Sequence, residues 1–368
     1  MAQQHNLDPI PLDDTAMQNE IILRIFERQA GPTSTGVGEN LALCLHRTSK
    51  AWQARLNLLQ DRGDAVWLLL ERTTVDFMAT IVDSLEGAHT LRTLLQIVLA
   101  FLQTDPLDEK NLRLASTTLL ELCIRLWLMS NIAIPPTANS AWQQCSDRRV
   151  WVDVSQTLRQ HMEICFPRST TIYDKVKLDK AFRLYDIQKI SNFEIEWTDN
   201  LLEHLLVRDP ADDKDPYTVS IFHHRQFLEY HAARPSTIYP QGFIIETLKT
   251  LDLLLPHDHR RTEVWYATLC ETFELDPTAC KNRRPMQRED RGLNSFSFWR
   301  DRLAILKETL DELEPRTVFH FWLDRRRPIQ WATFWVAVLV LGLTVFFGLV
   351  QSVEGALQVY KAYHPATD

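Results

Sequence analysis

Through the first 165 residues apolar positions recur at three- and four-residue intervals, the spacing that lines one face of an α-helix. Leu91, Leu94, Leu95, Val98, Leu99 and Leu102 are one such stripe. The pattern predicts a helical bundle over 15–165, with helices near 15–29, 39–60, 64–84, 87–103, 106–130 and 140–165. The breaks fall where Gly, Pro, Ser and Thr concentrate, at Gly31–Asn40 and Asn131–Ser140, which are expected to be loops. Residues 1–14 are polar and acidic without periodicity, and are expected to be disordered.

From about residue 170 the pattern changes. Short β-leaning pieces, Phe193–Trp197 and Thr218–Phe222, alternate with helical ones at Lys177–Ile187, Thr198–Val207 and His224–Ala232. An acidic loop, DPADDKDP, separates two of them. This predicts a small α/β unit over 170–256, ending in a helix near 243–255. Another helix near 261–274 opens a helical juxtamembrane region over 257–327. There Phe296, Trp299, Leu303, Leu306, Leu310 and Leu313 follow 3-4-3-4-3 spacing, the seam of a helix packed on another helix of the same chain or of a second copy. The fold class is mainly α.

One segment is apolar throughout. WATFWVAVLVLGLTVFFGLV, Trp331 to Val350, carries no charge, and its length suits about 30 Å of hydrocarbon. A transmembrane helix is therefore predicted over 329–351, followed by a tail at 352–368. Trp331 and Trp335 sit near one end, where amphipathic rings prefer the headgroup level, and Phe346 and Phe347 belong to the apolar body of the anchor. Other apolar runs fail the same test. VWLLLERTTVDFMATIV and LLELCIRLWLM carry ionised side chains, and LRTLLQIVLAFLQ is too short, so all three are expected to be helices of a soluble core.

Charge sets the orientation. Arg325, Arg326 and Arg327 precede the segment, whereas the tail carries Lys361 against Glu354 and Asp368, so the positive-inside rule places the amino-terminal side in the cytosol. From Lys281 to Arg327 twelve Lys or Arg face eight Asp or Glu, a net +4 in a chain of net −8. That concentration suits anionic lipid headgroups. The first twenty residues lack the basic and apolar regions of a signal peptide, and no lipidation motif or N-glycosylation sequon occurs. Six scattered cysteines without a C-x-x-C pair fit a reducing compartment, and ten glycines in 368 residues favour long helices. The membrane expected is the endoplasmic reticulum or a later secretory one rather than the mitochondrial one.

Candidate chemistry is sparse. Gly31–Gly38 begins like a phosphate-binding loop, but Val37 stands where the lysine is needed and Gly38 where a hydroxyl would hold magnesium. His161 and Cys165, four apart on a predicted helix, share a face, yet two ligands make no site and the pair reads as core. His223-His224 and His257-Asp258-His259 read as histidines at loops and element ends, resembling neither H-E-x-x-H nor a two-histidine, one-carboxylate arrangement. Residues 177–231 have the size of a winged-helix unit, but Asp209, Asp212, Asp213 and Asp215 would repel phosphate, so no nucleic acid is expected. No catalytic, cofactor or metal residue is singled out. Thr344, Gly348, Ser352 and Ala356 recur every four residues, a small-residue ladder on one face that offers a helix-dimer contact.

The run from FSFWRDRLAILKETL to LVQSVEGALQVYKAYHP resembles the ending shared by single-pass membrane proteins of filamentous ascomycete fungi for which no activity is assigned. EIEWTDNLLEHLLV, TVSIFHHRQFL and STIYPQGFIIETLKTLDLLLP are similar to upstream segments of the same group, so the likeness covers roughly residues 180–365. It implies a membrane-tethered fungal protein and transfers no site residue. A helix-rich domain entering a membrane helix also resembles CorA-type magnesium channels, but a second membrane helix and the G-M-N signature are missing. The expected function is therefore a membrane-tethered cytosolic interaction module that meets membrane lipids and a protein partner. The alternatives are a signalling or self-recognition protein acting by oligomerisation, and an enzyme with no recognisable motif.

Overall fold

The computed structural model describes residues 75–363 except 103–108, 136–148, 174–175, 180–181, 192, 211, 213–214, 234–237, 282–285, 288 and 314–327. The expected helices before residue 75, the Gly31–Gly38 loop and Arg325–Arg327 lie outside these residues.

The described part is mainly helical, with a small sheet insert and one long carboxy-terminal helix. It opens with α1 (Val75–Glu86), α2 (Leu91–Leu102) and α3 (Glu109–Leu128). In α2 the buried residues are Leu91, Leu94, Val98 and Leu102, spaced as expected for one inward face. Helix α3 is buried at every position from Ala115 to Ile124, which makes it the central helix of this part. Its buried hydroxyls are satisfied locally: Ser116 donates to the Leu112 carbonyl at 2.7 Å and Thr118 to that of Leu114 at 2.7 Å. Glu121, also on α3, accepts the Ile134 N–H at 2.7 Å and so ties the helix to β1 (Ile132–Ala133), which pairs in parallel with β2 (Arg149–Val150). Helix α4 (Leu158–Cys165) starts at a capping box formed by Thr157 and Gln160.

Next come α5 (Leu184–Ser191), β3 (Glu194–Thr198), β4 (Leu206–Arg208), β5 (Thr218–Phe222), α6 (Arg225–Ala233), α7 (Phe243–Leu254) and α8 (Arg260–Phe273). The sheet order is β3-β5-β4, with β3 and β5 parallel and β4 antiparallel to β5. Three expected helices differ. Among its described residues the one expected over 140–165 is helical only at Leu158–Cys165, because Arg149–Val150 pairs with β1 as a strand. Instead of a helix over Thr198–Val207 there is a 3-10 turn at Leu201–Glu203, capped by the Asn200 side chain, and then β4. Leu205 takes a φ of 60°, which ends any helical path and turns the chain into the strand. The helix expected over Lys177–Ile187 starts only at Leu184, because Leu178 donates its N–H to the Arg291 carbonyl at 2.9 Å and holds that segment extended.

One hydrophobic core runs from Phe77 to Leu310. Its centre includes Phe166, whose ring lies 4.1 Å from Phe243 and 5.9 Å from Trp299. Helix α9 (Arg300–Glu312) carries Leu303, Leu306 and Leu310 of the seam seen in the sequence, Phe296 and Trp299 precede it, and all five are buried in this core. The seam's partner is the chain itself, so these residues are not free to join a second copy.

Helix α10 (Pro328–Tyr363) is 36 residues long. Its apolar stretch, Ala332–Tyr360, is long and apolar enough to cross a membrane, and all of it is exposed except the half-buried Phe334 and Trp335. The helix continues past Val350, where the sequence leads one to expect a separate tail. At 1.5 Å per residue the 29-residue stretch measures about 43 Å, longer than the roughly 30 Å of hydrocarbon.

Candidate functional site

Parallel pairing of β3 with β5 places Thr198 opposite Phe222. The next residues, Asp199 on one side and His223-His224 on the other, therefore leave the sheet together at the carboxyl ends of adjacent strands. Ligand sites of parallel sheets gather at such ends. Consecutive strand residues would face opposite ways, but the Arg225 N–H bonds back to the His223 carbonyl at 2.9 Å, and this tight turn brings both imidazoles to one carboxylate. Asp199 Oδ1 lies 2.6 Å from His224 Nε2 and 3.3 Å from His223 Nε2. The two rings lie 3.9 Å apart between centroids. Both histidine side chains are buried, at 0% and 3% exposure, and that of Asp199 is 17% exposed.

The proton positions follow from the partners. His223 Nδ1 accepts the backbone N–H of Asp276 at 3.1 Å, so in the neutral ring Nε2 carries the hydrogen and donates it to Asp199. Burial alone would raise the Asp199 pKa, but the hydrogen bonds from His223 and His224 outweigh it and hold this carboxyl far below the usual carboxylate range. Asp199 is thus an anion at any physiological pH. Removing the acceptor of the Asp276 N–H would cost roughly 1–3 kcal/mol, the penalty for an orphaned buried donor.

The surroundings fix both arms. Thr198 Oγ1 accepts the Asn200 N–H at 3.0 Å and donates to Glu203 Oε2 at 2.9 Å, and Asn200 Oδ1 accepts the Asn131 N–H at 3.0 Å. At the other arm, His204 Nδ1 accepts the Phe222 N–H at 3.2 Å, while its Nε2 meets Thr250 Oγ1 at 2.7 Å. Asp276 caps the start of α6 through the Gln226 N–H at 3.2 Å, and Tyr266 donates to its carbonyl at 2.8 Å. Trp197 packs edge-on against both His223 and Tyr266.

The expectation that His223-His224 resembles no two-histidine, one-carboxylate arrangement is corrected by this geometry. The three donor atoms lie within 4.8 Å of one another and form the one such group among the described residues. The carboxylate stands 24 positions before the first histidine, so no short-range motif exposes it. A signal was present nonetheless: EIEWT is followed at once by Asp199, and TVSIF at once by His223-His224.

The other sequence candidates are placed as follows. Cys165 Sγ lies 3.4 Å from His161 Nε2, with His161 stacked on Trp151 at 5.5 Å. Burial and the nearby Arg149 push the His161 pKa down to about 4, so this is a neutral core pair. His259 stands at the amino-terminal boundary of α8 without a side-chain cap, its Nδ1 2.8 Å from Thr262 Oγ1. On α10, Phe346 and Phe347 are exposed and Trp335 is half-buried. Trp331 lies on the same helix. Thr344, Gly348, Ser352 and Ala356 lie along one exposed face. The Thr344 hydroxyl donates to the Val340 carbonyl and that of Ser352 to the Gly348 carbonyl, both at 2.8 Å.

No protein-family model matches the chain, and neither a curated protein nor a solved structure is significantly similar to it.

Proposed function

We propose that the chain is a membrane-tethered interaction module whose helical and α/β domain faces the cytosol and recruits a protein partner to the bilayer surface. The carrying observation is α10, an apolar helix whose residues from Val336 to Tyr360 are all exposed. Such a surface is stable in hydrocarbon and costly in water. Arg325–Arg327 against a nearly neutral tail supports the cytosolic orientation, and the fungal resemblance of 180–365 supports the same tethered plan. A tether raises the domain's effective concentration toward other molecules on that surface without any new contact. A second reading, self-association through the membrane helix, is favoured by the exposed ladder at Thr344, Gly348, Ser352 and Ala356, whose hydroxyls are already satisfied within the helix.

An anchor exchange tests the recruitment reading. Residues 1–316 fused to a mitochondrial outer-membrane anchor should carry the module's proximity-labelled neighbours to mitochondria. If the full chain washes from membranes in alkaline carbonate, the tether is wrong. If no neighbour follows the exchanged anchor, recruitment is wrong.

A further inference from the structure

We propose that Asp199, His223 and His224 bind one divalent first-row transition metal ion, of the Zn2+ or Fe2+ kind, through two imidazole nitrogens and one carboxylate oxygen. This is independent of the tether, since it rests on the sheet alone.

Convergence carries the inference. Three potential ligands from segments 24 residues apart bring their donor atoms within 4.8 Å of one another. Their spacing is set by the backbone pairing of Thr198 with Phe222 and by the turn at His223, both parts of the folded framework. Donor type then selects the metal. Imidazole suits zinc, iron and cobalt, whereas calcium and magnesium take oxygen ligands. Three protein ligands leave coordination positions open, and Asp199 is the most exposed of the three, so the opening lies on its side.

The protons balance. Without metal, each Nε2 hydrogen is directed at Asp199 Oδ1. Coordination uses the Nε2 lone pairs, so both imidazoles exchange through solvent to the Nδ1–H tautomer, with no net proton released. His223 Nδ1–H then meets the Asp276 N–H donor to donor, so this contact must open, and the metal–ligand bonds have to outweigh both the lost hydrogen bond and the orphaned buried N–H. Asp199 keeps its charge and turns it from two N–H donors to the cation.

The test uses the full chain purified in detergent, stripped with chelator and titrated with Co2+. Visible d–d absorption should saturate at one ion per chain. Asp199→Asn and His224→Ala should each weaken binding by more than ~100-fold, at least the effect of losing an outer-shell partner, while His257→Ala should leave it unchanged. Absence of the bands in the folded wild-type chain, or bands retained by both folded variants, overturns the site. Should the variants fail to fold, X-ray absorption of the Zn2+-loaded wild-type chain decides. A shell with two imidazoles and one carboxylate supports the site, and thiolate or fewer imidazoles overturns it.

Discussion

Glu246 on α7 accepts the backbone N–H of Trp299 at 2.9 Å, just before α9 begins, and the same carboxylate accepts the N–H groups of Ser297 and Phe298, each at 2.7 Å. Three donors at the entry to a helix are thereby satisfied by a residue some fifty positions earlier. The neighbouring Thr247 accepts the Trp299 indole N–H at 2.8 Å. Two consecutive residues of α7 thus hold α9 and its buried seam in place.

Glu246→Ala should therefore destabilise the domain more than an ordinary surface change does. It orphans three N–H groups around a buried tryptophan, and hydrogen bonds to a charged acceptor are worth about 1.5–3 kcal/mol each; because two of the three donors are only part-buried and can reach water, a total loss of ~3 kcal/mol is expected. Urea unfolding of the detergent-solubilised chain, followed by tryptophan fluorescence, measures it. A loss below about 1 kcal/mol would mean that the loop finds other acceptors.

Acid should weaken the fold before ordinary carboxylates titrate. Burial pushes His204 down to about 3 and His161 to about 4, from 6.5 for an unperturbed imidazole. Between those values the unfolded chain binds protons that the folded chain refuses, so stability falls as pH drops below 6.5 and levels off below the folded pKa values. The full effect is on the order of 3–5 kcal/mol per histidine. The urea midpoint should already fall between pH 6.5 and 5, and His161→Asn should flatten that slope. A flat midpoint over that window would mean that neither histidine is held neutral.

Much of this fold is readable in the sequence because its signals are local. The stripe of α2, the seam before and within α9 and the uncharged run of α10 each follow from the spacing of apolar residues in one segment. Thr198–Val207 reads as helix because its apolar residues fit a helical spacing, while the deciding features are the Asn200 cap, the positive φ of Leu205 and the pairing of Leu206–Arg208 with β5. The last depends on residues far along the chain. The Asp199 site is hidden for the same reason, since it exists only once β3 and β5 pair.

Orientation is open to a direct measurement. With Arg325–Arg327 on the cytosolic side, protease added to intact microsomes should digest the amino-terminal domain and spare a tag placed after Asp368. Loss of the tag with survival of the domain would reverse the assignment. Truncation after Arg316 should yield a soluble, folded chain, because the apolar face of α9 is covered by the chain's own core.

Self-association through α10 is tested by bulk at Gly348. A side chain added there meets nothing within 4 Å, so Gly348→Ile leaves the single helix unstrained and acts only on what approaches from outside. Thr344 and Ser352 flank Gly348 one turn away on each side, and with their hydroxyls turned back to the Val340 and Gly348 carbonyls they present small, satisfied surfaces that let a second backbone come close. Isoleucine between them would separate two such helices. In a membrane two-hybrid assay the signal should disappear with Gly348→Ile and persist with Leu339→Ile, which lies nine residues away on the opposite side of the helix. A signal unchanged by Gly348→Ile would remove the ladder as a contact and leave α10 as a plain anchor.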